Sequence, residues 1–256
     1  MKKSFAVAGF ILVVSLSAFA QTPAKVPDKP AAAAPAFATP GTDQILNRYV
    51  EAIGGRDAWK KLTSRVSTGT IDIPTMQLSG TVEFHEKAPN RFLRVVVLNG
   101  AIYRQGFDGT VAWTDDPSDG LRTELGAEAE DTRFDSDFYH PLDLRKLYLK
   151  FAVLGIEKIN EHDAYVLEAS RAGADADRIY FDAKTGLALR LLSRRSTSEG
   201  ISTYQVDLED YRDVDGIQLP FTVHQSIAEP SFTIKFTEVH HNVELDDSQF
   251  SKPAAQ

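Results

Sequence analysis

The 256-residue sequence contains no cysteine. This absence excludes disulfide bonds, thiolate metal sites and a cysteine nucleophile, and it leaves no cysteine for lipid attachment at a mature N-terminus. A chain without disulfides must draw its stability from a hydrophobic core, and this chain is long enough to form one.

Recognisable catalytic and metal-binding motifs are also missing. The sequence has no H-E-x-x-H, no G-x-S-x-G and no glycine-rich phosphate loop. The six histidines are scattered, and the adjacent His240 and His241 would point to opposite faces of a strand, which does not suit chelation of one ion. A glycosidase-like pair of carboxylates from distant strands stays open as an alternative. We therefore predict no catalytic residue, no metal and no cofactor, with an exported hydrolase as the least favoured function.

Long apolar runs are absent except near the N-terminus. There Lys2 and Lys3 precede an apolar stretch over 5–14, and Ala18-Phe19-Ala20 matches the small-x-small pattern of a cleavage site. The stretch is too short to span a bilayer comfortably, and no later one approaches about 18 apolar residues. We predict a signal peptide over 1–20, cleaved after Ala20, and a periplasmic protein, with an uncleaved anchor as the alternative.

The residues that follow divide into a linker and a domain. Residues 21–41 are rich in Ala and Pro, which predicts a flexible tether, and 42–252 is an expected length for one β-rich domain. The 28 basic and 36 acidic residues give a net charge of −8, and removing Lys2 and Lys3 makes it −10. Such a surface repels nucleic acid and anionic membranes, so neither is expected as a partner, and no permanent membrane anchor is expected.

Hydrophobic periodicity predicts one helix followed by many strands. Apolar residues recur at i, i+3, i+4 and i+7, and they are Leu46, Tyr49, Val50 and Ile53. This spacing predicts a helix with one apolar stripe, and Gly54-Gly55 ends it. From about Ser64 the period changes to two, and short turn signals such as Asp108-Gly109 and Asp215-Gly216 separate the apolar runs. This spacing indicates an antiparallel meander and not a parallel α/β sheet.

Residues 120–151 interrupt the strand pattern. Phe134 and Phe138 lie at i and i+4, and a second helical stripe consists of Leu144, Leu147, Tyr148 and Phe151. Two amphipathic helices are therefore predicted here, and the uncovered face of the antiparallel sheet is what they would cover. If they cover it incompletely, a hydrophobic cavity remains.

The stretch EDYRDVDGIQLPFTVH (209–224) admits a metal-loop or a hairpin interpretation. A calcium loop with Gly216 at its sixth position would place Tyr211 and Thr222 at ligand positions 1 and 12, where neither fits. Asp215-Gly216 instead suits a tight turn, and Pro220 suggests a strand edge or a bulge. We predict a hairpin whose apolar side chains form part of a cavity wall, and these are Ile217, Leu219, Phe221 and Val223.

The apolar residues on the central strands and the covering helices are the candidates for ligand contact. Core packing is the alternative for each one of them. As a set they would line a hydrophobic site if the helices leave a gap, and they are Phe92, Phe107, Trp113, Phe134, Phe138, Leu144, Leu147, Tyr148, Phe151 and Phe221.

Five segments, in order over nearly the whole domain, carry a likeness to a known family. They are YVEAIGGRDAWKKL (49–62), FDGTVAW (107–113), EKINEHDAYVLEASR (157–171), RIYFDAKTGLALRL (178–191) and YRDVDGIQLPFTV (211–223). In these the chain resembles the outer-membrane lipoprotein-sorting superfamily, the LolA/LolB-like periplasmic proteins. The resemblance implies an open, strongly curved antiparallel β-barrel of about eleven strands, with helices covering the concave face as a lid. It also implies acyl chains in the concavity, no cofactor and no catalytic residues.

Lipoprotein carriers of this superfamily have an arginine that contacts lipid, and the resemblance does not assign that arginine to one position of this sequence. Arg91, Arg94 and Arg104 are the strand arginines that would offer such a polar contact. We predict a carrier or sensor that binds a hydrophobic ligand or an acylated protein, in a transport or chaperone role, and not an enzyme. The alternative from another class is a non-catalytic envelope protein-interaction module.

Overall fold

A computed structural model describes residues 40–170, 175–197, 200–227 and 231–254. The predicted signal peptide and all of the predicted tether except its last two residues lie outside these described ranges. Four helices occur in the described chain, and they are α1 (Thr42–Ala52), α2 (Gly55–Trp59), α3 (Gly126–Asp135) and α4 (Leu144–Leu147). Short 3₁₀ turns lie at Pro74–Met76, His140–Leu142 and Asp247–Phe250.

Thirteen strands in the described ranges form a single antiparallel sheet. In chain order they are β1 (Ser64–Ile73), β2 (Leu78–Lys87), β3 (Arg91–Leu98), β4 (Ala101–Phe107), β5 (Ala112–Asp116), β6 (Gly120–Thr123), β7 (Lys150–Ile159), β8 (His162–Ser170), β9 (Asp177–Asp182), β10 (Ala188–Thr197), β11 (Gly200–Val214), β12 (Ile217–Ile227) and β13 (Phe232–His241). The spatial order is β6-β5-β4-β3-β2-β1-β13-β12-β11-β10-β9-β8-β7. Every pair of neighbours is consecutive in the chain except β1 and β13.

The two edge strands define the opening of the sheet. Strands β6 and β7 do not pair with each other, and the segment that joins them carries α3 and α4. This is the open, curved antiparallel β-barrel with few helices that the sequence predicts. The described ranges hold thirteen strands where the resemblance implies about eleven, and one of them, the four-residue β6, is too short to show a period of two.

The sheet buries apolar side chains on both faces. Along β8, Val166 and Leu167 are both fully buried although they point in opposite directions. Leu167 packs with residues of α1, so its face is the concave one that the helices cover. Val166 packs on the convex face with Ile159, Ala164 and Tyr180.

The covering helices are shorter than the sequence predicts. The helix expected from Leu144 to Phe151 ends at Leu147, and Phe151 lies in β7. The reason is competition from the sheet edge, because the Leu149 amide already donates to the Ser170 carbonyl of β8 at 2.8 Å. Phe134 and Phe138 do not share a helix either, since α3 ends before Phe138.

The turn from α1 to α2 needs glycine. Gly54 has a φ of 110°, and a Cβ there would lie 2.2 Å from the Gly216 carbonyl oxygen. Only a residue without a side chain allows α1 to approach the β11–β12 turn so closely. The Trp59 indole N–H donates to the Ile53 carbonyl at 3.0 Å and holds α2 against the end of α1.

The predicted hairpin is confirmed. Val214 pairs with Ile217, and the two residues between them, Asp215 and Gly216, have φ values of 55° and 81°. These positive values are those of a two-residue type I′ turn. Pro220 lies within a central strand, but the pairing of β12 with β13 begins only at Thr222, so the missing N–H of Pro220 falls where β12 has no partner on that side.

Candidate functional site on the concave face

The predicted apolar residues fall into separate groups in the structure. Phe138 and Phe221 pack with α1 and α2, and the region around α4 packs with α1, β8 and β9 through Leu144, Leu147, Tyr148 and Phe151. Phe92 and Phe107 lie near α3, beside Ala129. Phe134, on α3, stacks on His140 with 5.2 Å between ring centroids.

Trp113 lies on the opposite face of the sheet. Its indole packs with Leu93, Leu245 and Phe250, and its N–H donates to the Phe250 carbonyl oxygen at 2.8 Å. The structure therefore separates Trp113 from the other aromatic candidates. Its neighbours make it part of the contact between the C-terminal segment and the convex face.

The three candidate arginines also divide between the two faces. Arg91 pairs with Asp247 at 3.1 Å, and Arg104 pairs with Asp115 at 3.1 Å. Strand alternation places both side chains on the convex face, together with Trp113. Arg94 alternates with them and points to the concave side.

Arg94 belongs to a polar network beneath α3. Its guanidinium donates to Gln105 Oε1 at 2.5 Å. The Gln105 amide in turn donates to Glu124 Oε1 at 2.9 Å and to Thr132 Oγ1 at 2.8 Å. The network therefore joins β3 and β4 to α3 through the residue that follows β6.

The network carries charge in a desolvated place. Burial lowers the pKa of Arg94 to about 10, and the carboxylates of Asp135 and Glu124 oppose that shift. Burial raises the pKa of Glu124, while hydrogen bonds from Thr132 and Gln105 act in the other direction. Glu124 is only 2% exposed, so its hydrogen-bonded partners are what make an ionised carboxyl tolerable there.

Between these elements, concave-face side chains keep part of their surface open. Phe84 lies 6.2 Å from Phe92 and 5.6 Å from Phe236 between ring centroids, and both Phe84 and Phe236 are half-buried. The same partial exposure holds for apolar concave-face residues of β7 and β10–β12, and they are Phe151, Val153, Leu191, Leu208 and Val223. The helices therefore do not fully cover the apolar lining.

Two buried tyrosine phenols lie near each other close to α1. Tyr49 packs against residues of both clusters that α1 covers, with its ring 5.1 Å from that of Phe181. Burial raises the pKa of Tyr49 and of Tyr211, and the neighbouring Tyr49 phenol adds to the shift at Tyr211. Both phenols are consequently neutral hydroxyls at physiological pH.

Sequence reasoning missed the polar members of the site. Tyr49 was assigned only to the apolar stripe of the first helix, although a hydroxyl within a buried stripe was the available signal. Glu124 and Thr132 lie within 120–151, where the sequence does not reveal which polar side chains face the sheet. Gln105 lies two residues from both Tyr103 and Phe107 on β4, so strand alternation predicts that the three side chains share one face.

Two pockets open at one end of the sheet. One of about 320 Å³ lies at the start of α1 and is lined by residues that include Ile45, Tyr165 and Phe181. The other, of about 440 Å³, lies beside the turns that follow β7 and β9 and has an acidic rim that includes Asp182 and Asp207. Volumes of this size suit a small ligand or part of a longer chain.

No group of three or more His, Asp or Glu side chains in the described ranges could hold a metal ion. No helix of that part of the chain is both long and apolar enough to cross a membrane.

No protein-family model and no curated protein matches the sequence. Solved structures do match. A DUF1329 family protein from Desulfovibrio piger is 16% identical, with a TM-score of 0.56 over 83% of this chain and 98% of that one.

Two further solved structures give similar values. An outer membrane lipoprotein-sorting protein domain from Vibrio parahaemolyticus is 13% identical, with a TM-score of 0.54 over 82% of this chain and 95% of that one. A LolA superfamily protein from Nitrosomonas europaea is 14% identical, with a TM-score of 0.54 over 84% of this chain and 99% of that one. The expected fold is thereby confirmed: this chain has the fold of LolA-like, lipoprotein-sorting proteins.

Proposed function

We propose that the protein is a non-catalytic carrier or sensor that binds a hydrophobic or acylated ligand on its concave face. The observation that carries this proposal is the apolar concave lining that stays partly exposed beneath the helices, around Phe84 and Phe236. An apolar ligand that covers this surface removes it from water, and the hydrophobic effect makes that binding favourable. The proposal needs no cofactor.

The lid is the segment that spans the gap between the two edge strands. Residues 124–149 join β6 to β7, and they cross the opening where a closed barrel would have paired strands. This segment is held to the sheet by polar contacts such as that between Thr132 and Glu124, and by buried apolar side chains that include Phe138 and Tyr148. Acyl chains would enter the concave face by displacing it.

The proposed contacts follow the concave face. Phe92, Phe107 and the α4 region would contact acyl chains, and Arg94 is the candidate polar contact from the sheet. Trp113, Arg91 and Arg104 are left out, because they lie on the convex side.

The cellular context belongs to the same proposal. We infer export through the signal peptide over 1–20, a tether over 21–41, and action in the periplasm on a lipid or an acylated protein, with an envelope protein as a further partner. The lipoprotein-sorting description of the Vibrio parahaemolyticus domain supports an acylated protein as cargo. An interaction module would instead need a filled concave interior, and the partly exposed lining does not favour it.

Adjacent leucines on β10 provide a matched test. Leu191 packs on the concave face and Leu192 on the convex face, and both are half-buried. Residues 21–256 would be titrated with a fluorescent C16 fatty acid. Saturable binding is expected, weakened about tenfold or more by Leu191→Trp, which fills the site, and unchanged by Leu192→Trp.

Two results would count against the proposal. The absence of saturable binding by the folded wild-type protein would overturn it, and so would equal effects of the two tryptophan variants. Hydrolysis of ester or glycoside substrates that is lost on changing a concave-face carboxylate would favour the hydrolase alternative instead.

A further inference from the structure

The Tyr49 hydroxyl on the concave face has no hydrogen-bond partner among the residues that the structure describes. Within the described ranges, no hydrogen bond to Tyr49 Oη is found, although its ring packs against Phe181 and two apolar clusters. The side chain keeps part of its surface open despite this depth. A hydroxyl that has no protein acceptor and lies on a partly open side chain can donate to a ligand atom placed at that open side.

The neighbouring Tyr211 shows the contrasting arrangement. Its hydroxyl donates to the Ala188 carbonyl oxygen at 2.8 Å, so its proton is already used. Tyr49 is close enough to raise the pKa of Tyr211, yet it has no such acceptor of its own. Of these two phenols, Tyr49 is therefore the one whose donor is available to a ligand.

We propose that Tyr49 is a specificity-determining residue that donates a hydrogen bond to an uncharged carbonyl oxygen of the bound acyl ligand, as in an ester or amide. This inference rests on the proposed function and names the chemical class of its ligand.

The surroundings of Tyr49 favour a neutral acceptor. Tyr49 packs against two clusters whose buried members are all apolar, and they include Leu46, Val50 and Phe181. An anionic head group placed there would lose its hydration without gaining an opposite charge. An ester or amide carbonyl gains a hydrogen bond at far smaller desolvation cost.

The two sides of the concave face therefore offer different chemistry. Arg94, with the charged network beneath α3, lies on the β3–β4 side, and Tyr49 lies on the α1 side. A carbonyl at Tyr49 leaves the acyl chain to lie along the aromatic lining that includes Phe84 and Phe236. This places the polar part of the ligand near α1.

Two probes of equal length isolate the hydrogen bond. One is the methyl ester of a pyrene-labelled C16 fatty acid, and the other is the corresponding pyrene-labelled alkane. Wild-type protein is expected to bind the ester about three- to tenfold more tightly, the range of one net hydrogen bond. Tyr49→Phe keeps the ring and removes the hydroxyl, so it should reduce this preference to less than twofold. Tyr211→Phe is the matched control and should keep the wild-type preference.

The outcomes separate this inference from the proposed function. If Tyr49→Phe retains the full preference, or if wild-type protein binds both probes equally, the inference is overturned while the carrier function stands. If the folded wild-type protein binds neither probe, the carrier function falls and this inference falls with it. Thermal unfolding of each variant shows whether it is folded, and Tyr49→Phe should be as stable as wild type because it removes an unpaired hydroxyl.

Discussion

Thr132 donates a hydrogen bond from its hydroxyl to Glu124 Oε2 at 2.5 Å, and both side chains are buried. Thr132 lies on α3, and Glu124 directly follows β6. The Glu124 amide donates to the carbonyl of Ala112 on β5, which fixes Glu124 to the sheet. The hydrogen bond between Thr132 and Glu124 therefore fixes α3 to the edge of the sheet. Loss of this contact should free α3 without disturbing the rest of the sheet.

Thr132→Val should loosen α3. The change keeps the shape of the side chain but leaves the buried Glu124 carboxyl with one donor fewer, at a cost of about 1–3 kcal/mol. Amide hydrogen exchange within Gly126–Asp135 should accelerate, while exchange in β1 and β13 should not. Ser136→Ala is the control, because the Ser136 hydroxyl, just after α3, donates to the Arg133 carbonyl of α3 and not to the sheet. Equal exchange in the two variants would contradict a role for Thr132 in holding the helix.

Glu124 should make stability depend on pH. Its pKa is raised by burial, so its contribution to stability is fully present below the unfolded value of about 4.5 and is lost as pH rises through the folded pKa. Glu124→Gln removes the titration. Urea unfolding from pH 4 to pH 8 should therefore show wild-type protein losing stability relative to Glu124→Gln as pH rises. A difference that stays constant with pH would refute the expectation.

His241 should act in the opposite direction. Its side chain is 1% exposed, its Nδ1 lies 3.1 Å from Asp215, and its pKa is lowered, mainly by burial. The stability it contributes is present above the ordinary pKa of about 6.5 and is lost as pH falls through the folded value. Acidification from pH 7.5 to 5 should thus lower the melting temperature of wild-type protein more than that of His241→Asn. His240→Asn, which changes the adjacent and exposed ring, is the control. If the melting temperatures of His240→Asn and His241→Asn depend on pH in the same way, His241 does not have this role.

Gly54→Ala should be more damaging than Gly55→Ala. Both positions have positive φ, which costs a side chain about 1–3 kcal/mol. At Gly54 the new Cβ would also overlap the Gly216 carbonyl, whereas at Gly55 it meets no atom within 4 Å. Urea denaturation should show the larger loss for Gly54→Ala. Equal losses of unfolding free energy in the two variants would mean that the close approach of α1 to the Gly216 carbonyl does not require glycine at position 54.

Trp113→Phe should lower stability and leave ligand binding unchanged. The substitution removes the hydrogen bond to Phe250 on the convex face, at a cost of about 1–3 kcal/mol. Affinity for the fluorescent fatty acid should stay within twofold of wild type. A selective loss of affinity in a stable variant would return Trp113 to the ligand site.

Local patterns were sufficient for much of the fold. The α1 stripe, the period of two and the Asp215-Gly216 turn each depend on neighbours in the chain, so their physics is visible in the sequence. Prediction failed at Phe151, where a helical pattern continues into residues that join the sheet edge. A hydrogen bond to β8, about twenty residues away in the chain, decides that segment.

The sequence by itself therefore determined the strand-rich class, the absence of thiol chemistry and the position of the main hairpin. Only the tertiary structure decided which face each side chain occupies. Alternation separates Arg94 from Arg91 and Arg104, but it does not say which set is concave, because that depends on the pairing of β1 with β13 and on where the helices pack. Within the described part of the chain, the same long-range packing leaves the Tyr49 hydroxyl without a hydrogen-bond partner.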